Sequence, residues 1–349
     1  MAGGGVANTG PAMGGNTSAW TNATSNLVSL SSECGNLSNL SAKPDEDLLI
    51  AGIALNGLWG SSDGGQNWTQ MGTGKGSDSI TNRPTAIVYD PQNPARFWES
   101  GIYGGFGIFR TDDNGNVLKV LGDFISSDLV SVDFSDPARM TLLAGGHEAP
   151  KAVSRSTDGG MTWVNIGSTL PEATNCTFPL IVDSTTYLMG CEGPGGLVGT
   201  YRSTNGGASW SSVSKSGGGA APLRASDGSI YWANAGTLGM VRSTDDGETW
   251  QDLAPISPPG ALGNTINIAP VELPDGRIAT LNQGNLLLSA DQGASWQTAC
   301  APLPFDSARG LAYSAQQKAF FVWHFSCGAP PLPVPTDAIM RCNFDYQAE

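Results

Sequence analysis

Basic residues are scarce in this chain, and charge of either sign is sparse. Lys and Arg number 17 against 31 Asp and Glu, a net charge of −14, and charged residues are only 14% of 349. Nucleic-acid phosphates and anionic membrane surfaces reward clustered Lys and Arg, so neither is the expected partner. So little charge also argues against a long surface helix or a coiled coil. Long apolar runs are missing as well. The longest, Ala319–Phe325, is interrupted by His324 and falls far short of the ~20 residues a membrane-spanning helix needs. There are two histidines, and none of the six cysteines forms a C-x-x-C pair, so no zinc-type spacing is present. No cofactor is expected, and no ligand spacing calls for a metal; a calcium ion in a central channel is the one addition left open. Residues 1–15 have neither the basic start nor the apolar core of a signal peptide. They read as a flexible leader ahead of one domain over residues 16–349.

Glycine, by contrast, is abundant: 47 residues, with 22 Pro and 10 Trp. That mixture suits short strands joined by many tight turns. An even cysteine count without metal spacing favours disulfides and an oxidising compartment, hence a secreted, periplasmic or extracellular protein.

One pattern recurs, Ser-x-Asp-x-Gly-x-x-Trp. It runs Ser61–Trp68, Ser156–Trp163, Ser203–Trp210 (with Asn205 for Asp), Ser243–Trp250 and Ser289–Trp296. A worn copy at Thr111–Val117 has lost its Trp. Such periodicity marks a repeat architecture. The motif's chemistry is that of a turn: Asp accepts backbone N–H bonds, Gly takes positive φ, Ser or Thr adds a local bond, and Trp packs between neighbouring sheets. A structural clip is therefore preferred over a ligand site at each copy.

This pattern resembles the Asp-box (BNR) repeat of sialidase-like β-propellers, in which the box joins the third and fourth strands of a blade. The resemblance covers nearly the whole chain and implies an all-β propeller; it says little about function. Six units reach about residue 300. Beyond them, Ala308–Ser314, Lys318–His324 and Ala338–Cys342 supply three strands and no box. Gly14–Thr21 looks like the tail of a box, so we expect seven blades, the last completed by an N-terminal strand that removes an open edge. On this map Cys176 faces Cys191 across a hairpin, Cys300 pairs with Cys327, and Cys34 is left with Cys342. A Cys34 bond to Cys300 or Cys327 is the rival.

The resemblance places ligands on the face opposite the boxes. Loops assigned there carry Tyr103, His147, Glu148, Glu192, Asn234 and His324, and the inner strand starts carry Arg83, Asp128 and Arg309. Arg can grip a carboxylate, and aromatics stack on sugar faces. His147, after Gly145-Gly146, is the leading acid–base candidate, the glycines letting the backbone approach a ligand. The plainer readings are a His147–Glu148 loop contact, an Arg83–Asp128 ion pair, a partly buried His324 at the ring closure and a solvated Glu192. Catalytic roles are assigned to His147, Glu192 and Tyr103. Substrate binding is assigned to Arg83, Asp128, Glu148, Asn234, His324 and Arg309.

A sialidase would carry Phe/Tyr-Arg-Ile-Pro before the first box and an arginine triad. Here Arg83-Pro84 follows the first box, Arg309 could be a second arginine, and no third is found, which counts against that activity. The chain is also similar, in fold and residue type, to seven-bladed propellers that cleave terminal rhamnose from glucuronate-containing plant polysaccharides. That likeness implies an Arg on the uronate and a His moving protons; paired carboxylates, Glu192 with Glu148 or Asp128, are the hydrolytic alternative. The expected function is a monomeric carbohydrate-active enzyme, a glycoside hydrolase or polysaccharide lyase, on an acidic-sugar glycan. The alternative is a lectin-like or protein-assembly propeller without catalysis.

Overall fold

A computed structural model describes residues 18–72, 80–193, 199–235, 239–253, 268–282, 284–305 and 307–346. The leader at 1–15 lies outside these residues. Seven four-stranded antiparallel sheets stand in a ring. Blade 2 is typical: Arg83–Tyr89 innermost, then Phe97–Ile102, Ile108–Thr111 and the two-residue outer strand Lys119–Val120. Second strands such as Leu49–Ile53 and Phe97–Ile102 are buried along their whole length, because blades stack face to face and leave neither side of the sheet wet. Blades 1 and 2 bury Ile50, Leu58, Phe97 and Phe109 together, and blades 2 and 3 bury Trp98, Ile108, Val130 and Leu142. The fully buried Trp98 belongs to this packing.

The recurring motif is a clip at the end of the third strand in blades 1 to 6. In the first copy Ser61 Oγ donates to Asp63 Oδ1 at 2.8 Å, and the same oxygen accepts the N–H of Gln66 and Asn67 at 3.0 and 2.9 Å. The Asn67 side-chain amide, followed by its backbone N–H, holds the Asp63 carboxyl down at about 2. Gly65 has φ +88, and a Cβ there would stand 2.6 Å from Ala23 in the preceding blade. The worn copy keeps the clip without the indole: Val117 N–H donates to Asp113 Oδ1 at 2.9 Å. Trp68, Trp163 and Trp210 each donate Nε1–H to a carbonyl of the blade before, Ala23, Leu121 and Ile166.

Blade 7 runs Gly310–Ser314, Ala319–Trp323 and Ile339–Asn343, and its outer strand is Thr21–Asn22, paired with Arg341 and Met340. Trp20 donates to Ala301 O at 2.6 Å, filling the place the motif's Trp has elsewhere. The ring thus closes with the first described strand on the last.

Cys176 joins Cys191 across two facing strands. The preferred Cys300–Cys327 and Cys34–Cys342 pairs are corrected: the bonds are Cys34–Cys327, the rival pairing, and Cys300–Cys342. Cys342 lies opposite Phe320, near the start of the Ala319–Trp323 strand, whereas Cys327 follows that strand's end, so the two sit at opposite ends of blade 7. Cys342 is buried in the same apolar cluster as Cys300. Cys327 meets Cys34 in the loop where Gly35 N–H donates to Ser326 O at 2.9 Å.

Candidate functional site

In blades 1 to 6 the third strand runs from the loop after the second strand down to a clip, so that loop and the clip lie at opposite ends of the blade. Tyr103 and His147 occupy such loops in blades 2 and 3, and Asp128 comes from the start of the innermost strand of blade 3, Ser127–Val132. The ring brings the three together. His147 Nδ1 is 2.8 Å from Asp128 Oδ2, and His147 Nε2 is 2.8 Å from the Tyr103 hydroxyl. A carboxylate only accepts, so Nδ1 carries the hydrogen and Nε2 of the neutral ring accepts the Tyr103 proton. The two rings meet edge to face with centroids 5.0 Å apart. The hydrogen bond to Asp128 holds the His147 pKa above its usual 6.5, against the opposing effect of burial. Burial, then the Glu148 carboxylate, raises that of Tyr103.

Arg83 flanks the relay with its guanidinium 4.9 Å from the Tyr103 ring centroid. The expected ion pair with Asp128 is not the one formed; the carboxylate near Arg83 is Glu33, at 3.7 Å. Gly35 permits this placement: a Cβ there would meet the Arg83 side chain at 2.8 Å. Glu148 stands 3.7 Å from His147 Nε2 and is 73% exposed, so it is a neighbour of the imidazole and not its main partner. Gly145 serves packing and not ligand approach, since a Cβ would come 2.2 Å from Cys176 O in blade 4. A cavity of about 170 Å³ opens beside the relay, lined by Asp128, His147, Glu148, Asn175 and Glu192 among others.

The remaining candidates are placed elsewhere. Asn234 accepts the Gly217 N–H at 2.7 Å and shapes its own blade. His324 is partly buried in blade 7, with Nε2 3.2 Å from Asp337 and its ring 4.3 Å from that of Phe305. Arg309 lies over Phe325, 4.3 Å from the centroid, at the wall of an axial channel of about 1080 Å³. Among the described residues, no group of three or more His, Cys, Asp or Glu is arranged to hold a metal ion.

Three residues that organise the site carry no sequence signal. Ser126 accepts the Tyr103 N–H on its Oγ and the His147 N–H on its carbonyl, both at 2.9 Å, and so spaces the two catalytic candidates. Glu33 is the acid beside Arg83. Glu99 is fully buried beneath the Tyr103 loop, near Asn82, and burial pushes its carboxyl up to about 8.

The geometry defines a seven-bladed β-propeller with an asymmetric polar cluster on the face opposite its clips. No protein-family model matches the sequence, and no curated protein does. Solved structures do resemble it. A GH74 enzyme of Niastella koreensis is 16% identical, over 91% of this chain and 53% of that one, with a TM-score of 0.64. The GH74 xyloglucanase of Xanthomonas campestris is 17% identical, over 92% and 55%, at 0.56. YCF48 bound to a D1 peptide is 17% identical, over 97% and 99%, at 0.59. The chain thus spans about half the length of the two GH74 structures and nearly all of YCF48. At such identities the likeness is one of fold.

Proposed function

We propose that the chain is a carbohydrate-active enzyme of an oxidising, extracytoplasmic compartment that cleaves a glycan at an acidic sugar, with Asp128, His147, Tyr103 and Arg83 as its machinery. The observation that carries this is the hydrogen-bonded order Asp128–His147–Tyr103 with a guanidinium against the phenol. A carboxylate–imidazole–hydroxyl chain moves a proton, and an adjacent Arg neutralises a carboxylate. Together they suit β-elimination at a 4-linked uronate. Arg83 pairs with the uronate carboxylate and makes the C5 proton more acidic. The Tyr103 oxygen takes that proton as its own passes to His147. The C5–H electron pair becomes the C4=C5 bond, the C4–O4 bond breaks, and the departing O4 recovers a proton from the relay. Asp128 supports the imidazolium formed on the way.

Hydrolysis by Glu192 and Glu148 would use the same cavity but leave the relay without a task. The decisive experiment is incubation with 4-linked polyuronates. An unsaturated product absorbing in the near ultraviolet, lost in Tyr103→Phe, supports elimination. New reducing ends without that chromophore support the carboxylate pair. The second reading, a non-catalytic protein-assembly propeller, draws on the end-to-end match with YCF48, whose structure holds a D1 peptide. Peptide binding on this face without turnover of any glycan would favour it.

A further inference from the structure

Three large apolar residues are exposed on the two segments that flank the relay: Tyr103, 41% exposed, Phe106, 43%, and Ile125, 69%. They lie on two segments that grip each other. Phe106 and Ile125 face in an isolated antiparallel bridge, and Gly107 N–H donates to Phe124 O at 2.8 Å. A Cβ on Gly107 would stand 2.6 Å from Ser126 N, so the approach is as close as backbone allows. The base is anchored as well. Asn82 Nδ2 donates to Phe106 O at 2.9 Å, and Thr81 Oγ1 donates to Gly104 O at 2.6 Å. Tyr103 itself is held at φ +58, a conformation uncommon for an aromatic residue. A loop fixed at so many points yet turning bulky apolar groups to water forgoes hydrophobic burial. Such a sacrifice at a surface marks a contact with something else.

We infer that Phe106 and Ile125, with the exposed edge of Tyr103, form a ring-binding subsite for the hexopyranose next to the one cleaved. The inference rests on the glycan reading of the relay. The occupant is a sugar ring and not a protein's apolar face for two reasons. Among the described residues the ledge has three exposed side chains, and the segments that carry them adjoin at the relay, where Tyr103 N–H donates to Ser126 Oγ at 2.9 Å. A pyranose has that same pairing of an apolar C–H face with a hydroxyl rim. Because the ledge shares a loop with the Tyr103 hydroxyl, a ring lying on it adjoins the scissile bond. The subsite therefore sets which side of the bond the polymer extends from, and it makes binding depend on chain length.

The test uses binding apart from turnover. Uronate oligomers of increasing length are titrated into the inert His147→Ala protein by calorimetry, alone and with Phe106→Ala or Phe106→Trp. The longer oligomers should bind about tenfold more weakly once Phe106→Ala is added, as loss of one aromatic contact predicts. A single uronate should not distinguish the two proteins. Phe106→Trp should restore affinity, and its emission should shift on binding. Equal affinity for every oligomer with and without Phe106→Ala overturns the subsite while leaving the glycan reading intact. Failure of all oligomers to bind His147→Ala overturns both. An emission shift with an apolar peptide but not with oligosaccharide assigns the ledge to a protein and overturns it too.

Discussion

His147 and His324 occupy the same slot in different blades. Each follows the second strand of its blade directly, after Leu142–Gly146 in blade 3 and Ala319–Trp323 in blade 7. Each has an aspartate at one nitrogen and an aromatic ring nearby. What separates them is the neighbour: a phenol whose hydroxyl meets Nε2 in one case, the phenyl ring of Phe305 in the other. His147 therefore lies on a path along which a proton can travel, while His324 packs at the seam of the ring. The backbone repeat supplies the position, and the side chains of adjacent blades decide what it meets.

The sharpest way to break this contrast is to remove both imidazoles. His147→Ala should cost about 10²–10⁴ in turnover with the thermal transition nearly unchanged, whereas His324→Ala should leave turnover within about twofold. Initial rates on a polyuronate and calorimetric scans check both, and equal losses would dissolve the distinction. The seam is tested next. Replacing Cys34 and Cys327 by Ala should lower unfolding free energy by about 2–5 kcal/mol in urea titrations, since that bond ties residues 293 apart in sequence.

A smaller effect concerns pH. His147 must be neutral to accept the Tyr103 proton, and its pKa is raised by Asp128, so activity should climb with pH through a midpoint above 6.5. Asp128→Asn should move that midpoint down and reduce turnover; a pH–rate profile that stays in place would show that the two groups are not coupled. The smallest effect is on stability. Glu99 keeps its proton to about 8 when folded but loses it near the ordinary carboxyl value of 4.5 when unfolded. The unfolded chain then holds fewer protons between those values, so stability should fall as pH rises across that interval. Glu99→Gln should flatten the decline, as seen in melting temperatures taken from about pH 4 to 9.

The blades are legible in the sequence because the clip needs particular residues at fixed offsets: Asp for two N–H groups, Gly for a left-handed turn, Trp for the gap between sheets. Even the worn copy keeps its Asp113. Trp20 is readable as the tail of another copy for the same reason. The site is legible only as a set of polar residues on one face. That Tyr103, His147 and Asp128 converge depends on how two blades stack, which no local spacing records. Ser126, the link between them, sits in a plain Ser-Ser pair and acts through one side-chain and one backbone oxygen. From sequence, Cys34–Cys327 stands only as the rival pairing and Cys300–Cys342 is missed, because loop positions do not fix which end of a blade a cysteine occupies. Cys342 lies within a strand, and its position along that strand, read against Phe320, decides its partner.

The pairing of Thr21–Asn22 with Ile339–Asn343 sets an order of events for the nascent chain. Six blades can form as the polypeptide emerges, but the circle has no lock until Ile339–Asn343 arrives to receive Thr21–Asn22. Until then, the waiting edge is exposed to mispairing with other copies. The arc stays open to such mispairing until Ile339–Asn343 has emerged.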